Sequence, residues 1–86
     1  MSCNNIWSNI IKYQNEQFFT TVKKIPFSYI VKGNSIILQN TNRIIPRSNV
    51  ERALEVRFPT VSKLNSMNLQ GSSYLLAIIT DNRIIG

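Results

Sequence analysis

The chain has no histidine and only four acidic residues, Glu16, Glu51, Glu55 and Asp81. Without histidine, the commonest general base and the usual Ser-His-Asp triad are excluded. No two of the four acids stand in a metal-binding or glycosidase pattern. Cys3 is the single cysteine, which excludes an internal disulfide and a cysteine metal cluster. It lies in a segment expected to fray, a poor setting for an activated thiolate. Gly33 and Gly71 form no phosphate loop. No apolar run approaches the ~18 residues needed to cross a membrane. Met1-Ser2-Cys3-Asn4-Asn5 carries no basic region ahead of an apolar stretch, so no leader is expected. These absences predict a cytoplasmic protein that is not an enzyme, needs no cofactor or metal and has no membrane partner.

What is present is positive charge. Lysine and arginine number 10, giving a net charge of +6 and a pI near 10.0, although charged residues make up only 16% of the chain. Such a balance favours polyanionic partners, nucleic acid before membrane surface. Eighty-six residues predict a single domain over 1–86, small enough to need good packing. The hydrophobic content of 43% is enough for a core and too high for a disordered tail.

The chain is organised around the stretch from Pro26 to Arg57. Phe27, Tyr29 and Val31 alternate up to Gly33-Asn34, and Ile36 and Leu38 alternate after it. This predicts a hairpin with a two-residue turn at positive φ. Its register sets Lys32 opposite Ser35, Val31 opposite Ile36, Ile30 opposite Ile37 and Tyr29 opposite Leu38. Phe27, Tyr29, Val31, Ile36 and Leu38 then share the core face. Residues 17 to 24 are β-branched and aromatic and predict a third antiparallel strand, interrupted at Pro26. Ile44 and Ile45 are candidates for a short edge.

Three helices are expected. The first runs over 4 to 16, with Asn4 or Asn5 as its cap and Ile6, Trp7, Ile10, Ile11 and Gln14 on one face. Trp7 is read as a core anchor, and Lys12 and Glu16 as a solvated pair. The second runs over 49 to 57. Ser48-Asn49-Val50-Glu51 matches a capping box, Val50, Ala53, Leu54 and Arg57 share a face, and Pro59 ends the helix. Residues 59 to 70 read as a loop with apolar anchors Val61, Leu64, Met67 and Leu69. The run over 72 to 80 fits a buried helix or a strand. Ser72 or Ser73 as N-cap favours the helix. The fold class is therefore α+β, a three-stranded antiparallel sheet with about three helices. A helix beside a basic hairpin also allows a winged-helix-like relative.

Four motifs carry a resemblance: F-x-T-V over 19 to 22, P-F-x-Y over 26 to 29, N-R-x-I-P-R-S-x-V-E-x-A-L over 42 to 54 and S-S-Y-L-L-A-I-I-x-D-x-R-I over 72 to 84. Together they resemble a small bacterial domain that occurs alone or attached to larger proteins. The resemblance covers nearly the whole chain and implies a compact α+β unit. In size and in its isoleucine- and asparagine-rich composition, the chain also resembles small accessory proteins encoded beside replication genes on staphylococcal-type mobile elements.

The functional expectation follows from charge. No acid falls between Gln17 and Val50. Lys23, Lys24, Lys32, Arg43, Arg47 and Arg52 are expected to form a phosphate-contacting surface, with Ser48 at a helix N-terminus that favours a phosphate. No recognition helix carries a base-reading pattern, so binding to single- or double-stranded DNA should have low sequence specificity. The expected function is a small basic nucleic-acid-binding accessory protein. Its expected partner is a larger DNA-processing enzyme of the same locus: a polymerase or primase, a helicase or a nuclease. The alternative is a protein-interaction subunit with an inert basic surface, contacting its partner through Ile30, Ile37 and Ile84-Ile85.

Overall fold

The computed structural model describes residues 3–39 and 41–85. Met1 and Ser2, from the stretch that predicts no leader, and Asn40 of the polar connector lie outside the described residues. The elements run α1 (Cys3–Lys12), β1 (Phe18–Phe19), β2 (Pro26–Phe27), β3 (Tyr29–Lys32), β4 (Ser35–Leu38), β5 (Ile44–Pro46), α2 (Arg47–Leu54), α3 (Val61–Ser66), α4 (Ser72–Thr80) and α5 (Asn82–Ile85). The fold is α+β, with a three-stranded antiparallel sheet ordered β3-β4-β5 and a separate two-stranded pair β1-β2.

The hairpin forms in the expected register, with Tyr29 opposite Leu38 and Lys32 opposite Ser35. Gly33 takes φ +62° while Asn34 stays at negative φ. Glycine leading a two-residue turn is the type II′ preference. Phe27, Tyr29, Ile36 and Leu38 are buried on the core face, and Val31 is half-buried against it.

The third strand is not the one expected. Ile44–Pro46 takes that place, pairing with β4 through Ile36–Ile45 and Ile37–Ile44. Residues 17 to 24 form only the two-residue β1, paired with β2 through Phe18–Phe27. A tight turn cuts this strand short. The Thr20 carbonyl accepts from the Lys24 amide at 3.1 Å, the Thr20 hydroxyl accepts from the Ile25 amide at 2.9 Å, and Lys24 sits at φ +57°. The expected strand over 26 to 32 is also broken at Ser28, where the chain leaves β1 for β4.

The helices number five among the described residues, two more than expected. Helix α1 ends at Lys12 rather than 16, because Gln14 and Asn15 turn to meet β3. The Gln14 side-chain oxygen accepts from the Val31 amide at 3.0 Å, and the Asn15 amide donates to the Tyr29 carbonyl at 2.8 Å. Asn15 takes φ +71° to do so. Asn4 and Asn5 both lie inside α1. Lys12 stands over the Tyr13 ring at 5.5 Å and makes no ion pair with Glu16.

Helix α2 starts two residues earlier than expected. Strand β5 runs straight into it through Pro46, and the Arg47 amide donates to the Asn34 carbonyl of the hairpin turn at 2.8 Å. Ser48 is therefore inside the helix and no side chain caps it, so the capping box with Glu51 does not form. The helix stops at Leu54, where its last turn tightens into Glu55 amide to Arg52 carbonyl and Val56 amide to Ala53 carbonyl bonds. Arg57 lies exposed beyond it, off the face that Val50 and Ala53 bury.

The segment read as a loop contains α3, capped by the Thr60 hydroxyl accepting from the Lys63 amide at 3.1 Å. Its anchor Leu64 is fully buried. Helix α4 forms over the expected residues, but its N-cap is Gly71 at φ +56° rather than a serine. A Cβ at Gly71 would stand 3.3 Å from Ile45 Cδ1, so this position favours glycine on both grounds. Leu75, Leu76, Ala77, Ile78 and Ile79 are all buried, because α4 packs on α2, α3, α5 and β1 at once. An apolar run buried on every side explains its ambiguous period.

Trp7 is buried in the core, as expected. The buried side chains form one core. Among the described residues all five strands precede α2, so no hairpin there follows a helix pair as a winged-helix arrangement requires. Among the described residues no helix is long and apolar enough to cross a membrane.

Candidate nucleic-acid interface

The basic residues singled out in the sequence fall in four places. Lys32, Arg47 and Ser48 share one end of the sheet. Lys32 closes β3 beside the turn, and the Asn34 carbonyl holds the Arg47 amide. Asn34, Pro46, Arg47, Ser48 and Glu51 line a shallow hollow there. Arg47 already has local company. Its guanidinium lies 5.3 Å from the Trp7 ring centroid, and its Nε is 3.8 Å from a Glu51 carboxylate oxygen. The helix N-terminus beside Ser48 is partly occupied too, since the first amide of α2 is bonded to Asn34 and the Asn49 side chain accepts from the Gln70 amide at 2.8 Å.

Arg43 is at the other end of β5. Four residues of extended chain, about 13 Å at 3.3 Å per residue, separate it from Arg47. The structure therefore does not bring these two together around the helix start. Arg43 instead borders a hollow with Asn65, Leu69 and Gly71–Tyr74. Lys23 and Lys24 are exposed on the β1–β2 turn. Lys23 lines a groove of about 450 Å³ with Val22, Ile25, Val61 and Tyr74. Ser73 and Tyr74 line both hollows, so Lys23 and Arg43 border neighbouring depressions.

Arg52 is exposed on α2 and belongs to a fourth place, the corner between α2 and α3. It lines a depression with Glu55, Arg57, Phe58, Lys63 and Met67. Phe58 is 80% exposed, the most exposed large hydrophobic residue among those described. The Arg57 guanidinium stands 5.7 Å from its ring centroid. The sequence pattern set Arg57 on the face of α2 with Val50 and Ala53, and gave Phe58 and Lys63 no role. A signal was present: in Arg57-Phe58-Pro59-Thr60 the proline disfavours helix at Phe58, and Thr60 starts a new one. An aromatic residue in such a break is turned out of both helices.

The electrostatics of the surface follow from few acids. Glu51 pairs with Arg47, and Asp81 with Arg83 at 3.0 Å. The other eight of the 10 cations make no ion pair among the described residues. Asp81 also accepts the Arg83 amide and Nε, and these bonds hold its carboxyl below the ordinary carboxylate range. Burial pushes the Tyr29 phenol well above its ordinary value. Among the described residues no group of acids or cysteines could hold a metal ion.

The residues named as protein contacts divide as well. Ile30 and Ile37 are half-buried. Ile84 is fully buried, and its carbonyl accepts from the Asn9 side chain at 2.7 Å, so it is core and not contact surface. Three of the six exposed large apolar side chains among the described residues, Phe19, Val22 and Ile25, lie instead on β1 and the turn that follows it. No protein-family model matches the chain, and neither the curated proteins nor the solved structures yield a match.

Proposed function

We propose that the protein is a small nucleic-acid-binding accessory protein of the cytoplasm, contacting phosphates with little base specificity. It acts by binding and not by catalysis, beside a larger DNA-processing enzyme of the same locus. The observation that supports this reading is the set of eight cations that make no ion pair among the described residues. Lysine and arginine left unpaired are what a polyanion neutralises, with release of its counterions. The spread of seven of them over four places fits backbone contact better than base readout, which needs side chains converging on one groove.

Fluorescence anisotropy with labelled oligonucleotides at several salt concentrations tests it. Affinity on the order of micromolar or weaker, falling steeply with salt, is expected. Replacing Arg43 and Arg47 together should weaken every oligonucleotide alike. An absence of binding at low salt removes the proposal. Co-expression with each neighbouring gene product, followed by pull-down, tests the partner.

A second reading rests on a different observation. Val22 is 77% exposed, with Phe19 and Ile25 beside it on β1 and the turn that follows, which suits a contact with another protein. Val22→Asn, which changes no charge beside Lys23, should then abolish co-purification with that protein while leaving oligonucleotide binding intact.

A further inference from the structure

The corner between α2 and α3 combines features that a phosphate-contacting surface does not require. Phe58 is 80% exposed and lines one depression with Arg52, Arg57 and Lys63. A phenylalanine left in water at a helix break contributes little to its own fold. Three cations share its depression, and the apolar side chains there, Val56 and Met67, are half-buried and packed against the core. An open aromatic face ringed by positive charge is what a single strand uses: successive bases stack on the ring while the backbone follows the cations. A duplex keeps its bases stacked on one another and offers the ring nothing. The guanidinium of Arg57 stands over one face of the ring, 5.7 Å from its centroid, so a base would stack on the opposite face. One carboxylate, Glu55, lies in the same depression and opposes a phosphate there.

We propose that this corner is a binding site for single-stranded nucleic acid, with a base stacked on Phe58 and the backbone held by Arg52, Arg57 and Lys63. The inference rests on the reading above that the protein binds nucleic acid, and sharpens it to unpaired strands.

The test is anisotropy at low and moderate salt with three labelled probes: an oligothymidylate of about 12 nucleotides, an abasic strand of the same length and phosphate number, and a duplex of the same length. The oligothymidylate should bind more tightly than either of the others. Phe58→Ala should weaken it by about 5- to 100-fold, the loss of one stacked base. Phe58→Ala should leave the abasic strand and the duplex within about twofold, and Phe58→Trp should restore stacking. Glu55→Gln should tighten all three probes by removing a like charge. The ring is exposed, so the substitutions should leave the melting temperature nearly unchanged, and a melt of each variant verifies the fold.

Equal affinity for the thymidylate and abasic strands, or thymidylate binding indifferent to Phe58→Ala, overturns the inference while leaving the broader reading intact. No binding of any probe at low salt overturns both. Sedimentation of the wild type and Phe58→Ala adds one outcome: self-association lost in the variant, with oligonucleotide binding unchanged, assigns Phe58 to a protein contact and overturns the inference.

Discussion

Two arginines in this chain stand over phenylalanine rings, and they do opposite things. Arg83 lies 3.9 Å from the centroid of Phe18, a ring that is 1% exposed. Its guanidinium is held by both Asp81 oxygens at 3.0 Å and donates to the Gln17 carbonyl at 3.1 Å. Phe18 in turn meets Phe27 and Tyr29 at centroid separations of 5.8 and 5.4 Å. The Nε and Nη2 groups of Arg83 have partners within the protein and the ring is sealed, so the pair ties α5 to β1. Arg57 and Phe58 form the same pair in outline, but the ring is open and no carboxylate forms an ion pair with the guanidinium. An Arg–Phe pair is structural where its other contacts are met within the protein. Where they are not, it is available to a ligand.

Removing each ring is the sharpest way to break that comparison. Phe18→Ala should cost about 3–5 kcal/mol, since a large buried aromatic leaves a cavity. Phe58→Ala should stay within about 0.5 kcal/mol. Urea melts of the two variants measure both, and equal losses would remove the distinction.

How far the sequence revealed this difference is instructive. The hairpin was readable because period-2 alternation and Gly33-Asn34 agree on one register, and a one-residue slip would exchange its faces. Helix α4 was readable by length, although its apolar residues lie all round it. The membership of the sheet was not. Residues 17 to 24 carry strand-forming side chains, yet Thr20 closes a turn through its own hydroxyl, and local side-chain bonding overrode propensity. Ser48 looked like a cap because the motif is local, while the actual partner of the helix start is the Asn34 carbonyl, 13 residues away in the chain. The charge of the surface was plain in composition. Its division into four places depends on where β5 and α3 lie, and neither was fully placed from the sequence.

The next effect in size belongs to Tyr29. Its hydroxyl donates to the Ile10 carbonyl at 2.7 Å in the core. Tyr29→Phe should cost about 1–2 kcal/mol by leaving that carbonyl without its donor. Burial raises the folded pKa of the phenol, so the folded state keeps its proton where the unfolded chain has lost it. Stability from this term is complete below the ordinary tyrosine value of 10.0 and falls as pH rises above it toward the folded value. Alkaline melts of the wild type and Tyr29→Phe should converge as the pH climbs.

Asp81 sets the opposite limb. Its folded pKa is lowered, first by the Arg83 side-chain bonds, so its contribution is present above the ordinary value of 3.8 and is lost as pH falls through the folded one. Arg83 is 36% exposed at the side chain, and solvent screens the pair. Asp81→Asn should therefore cost only about 0.5–1 kcal/mol near neutral pH. Melts below pH 4 should bring variant and wild type together. A difference that persists undiminished in acid would mean that Asp81 acts through the α5 cap alone and not through its charge.

The smallest effect separates a motif from a working cap. Ser48 fits the sequence pattern of an N-cap, but it is exposed inside α2 and makes no capping bond. Thr60 belongs to no capping box, yet its hydroxyl accepts from the Lys63 amide and starts α3. Thr60→Ala should cost about 1 kcal/mol, and Ser48→Ala should stay within about 0.5 kcal/mol. The site gives this pair a second readout. Helix α3 carries Lys63 and forms one wall of the Phe58 corner, so fraying its start loosens the position of Lys63. Thr60→Ala should weaken oligothymidylate binding modestly, and Ser48→Ala should leave it unchanged. If Ser48→Ala proves the costlier of the two in a urea melt, α2 starts at the serine after all, and the path of the chain from β5 into the helix must be redrawn.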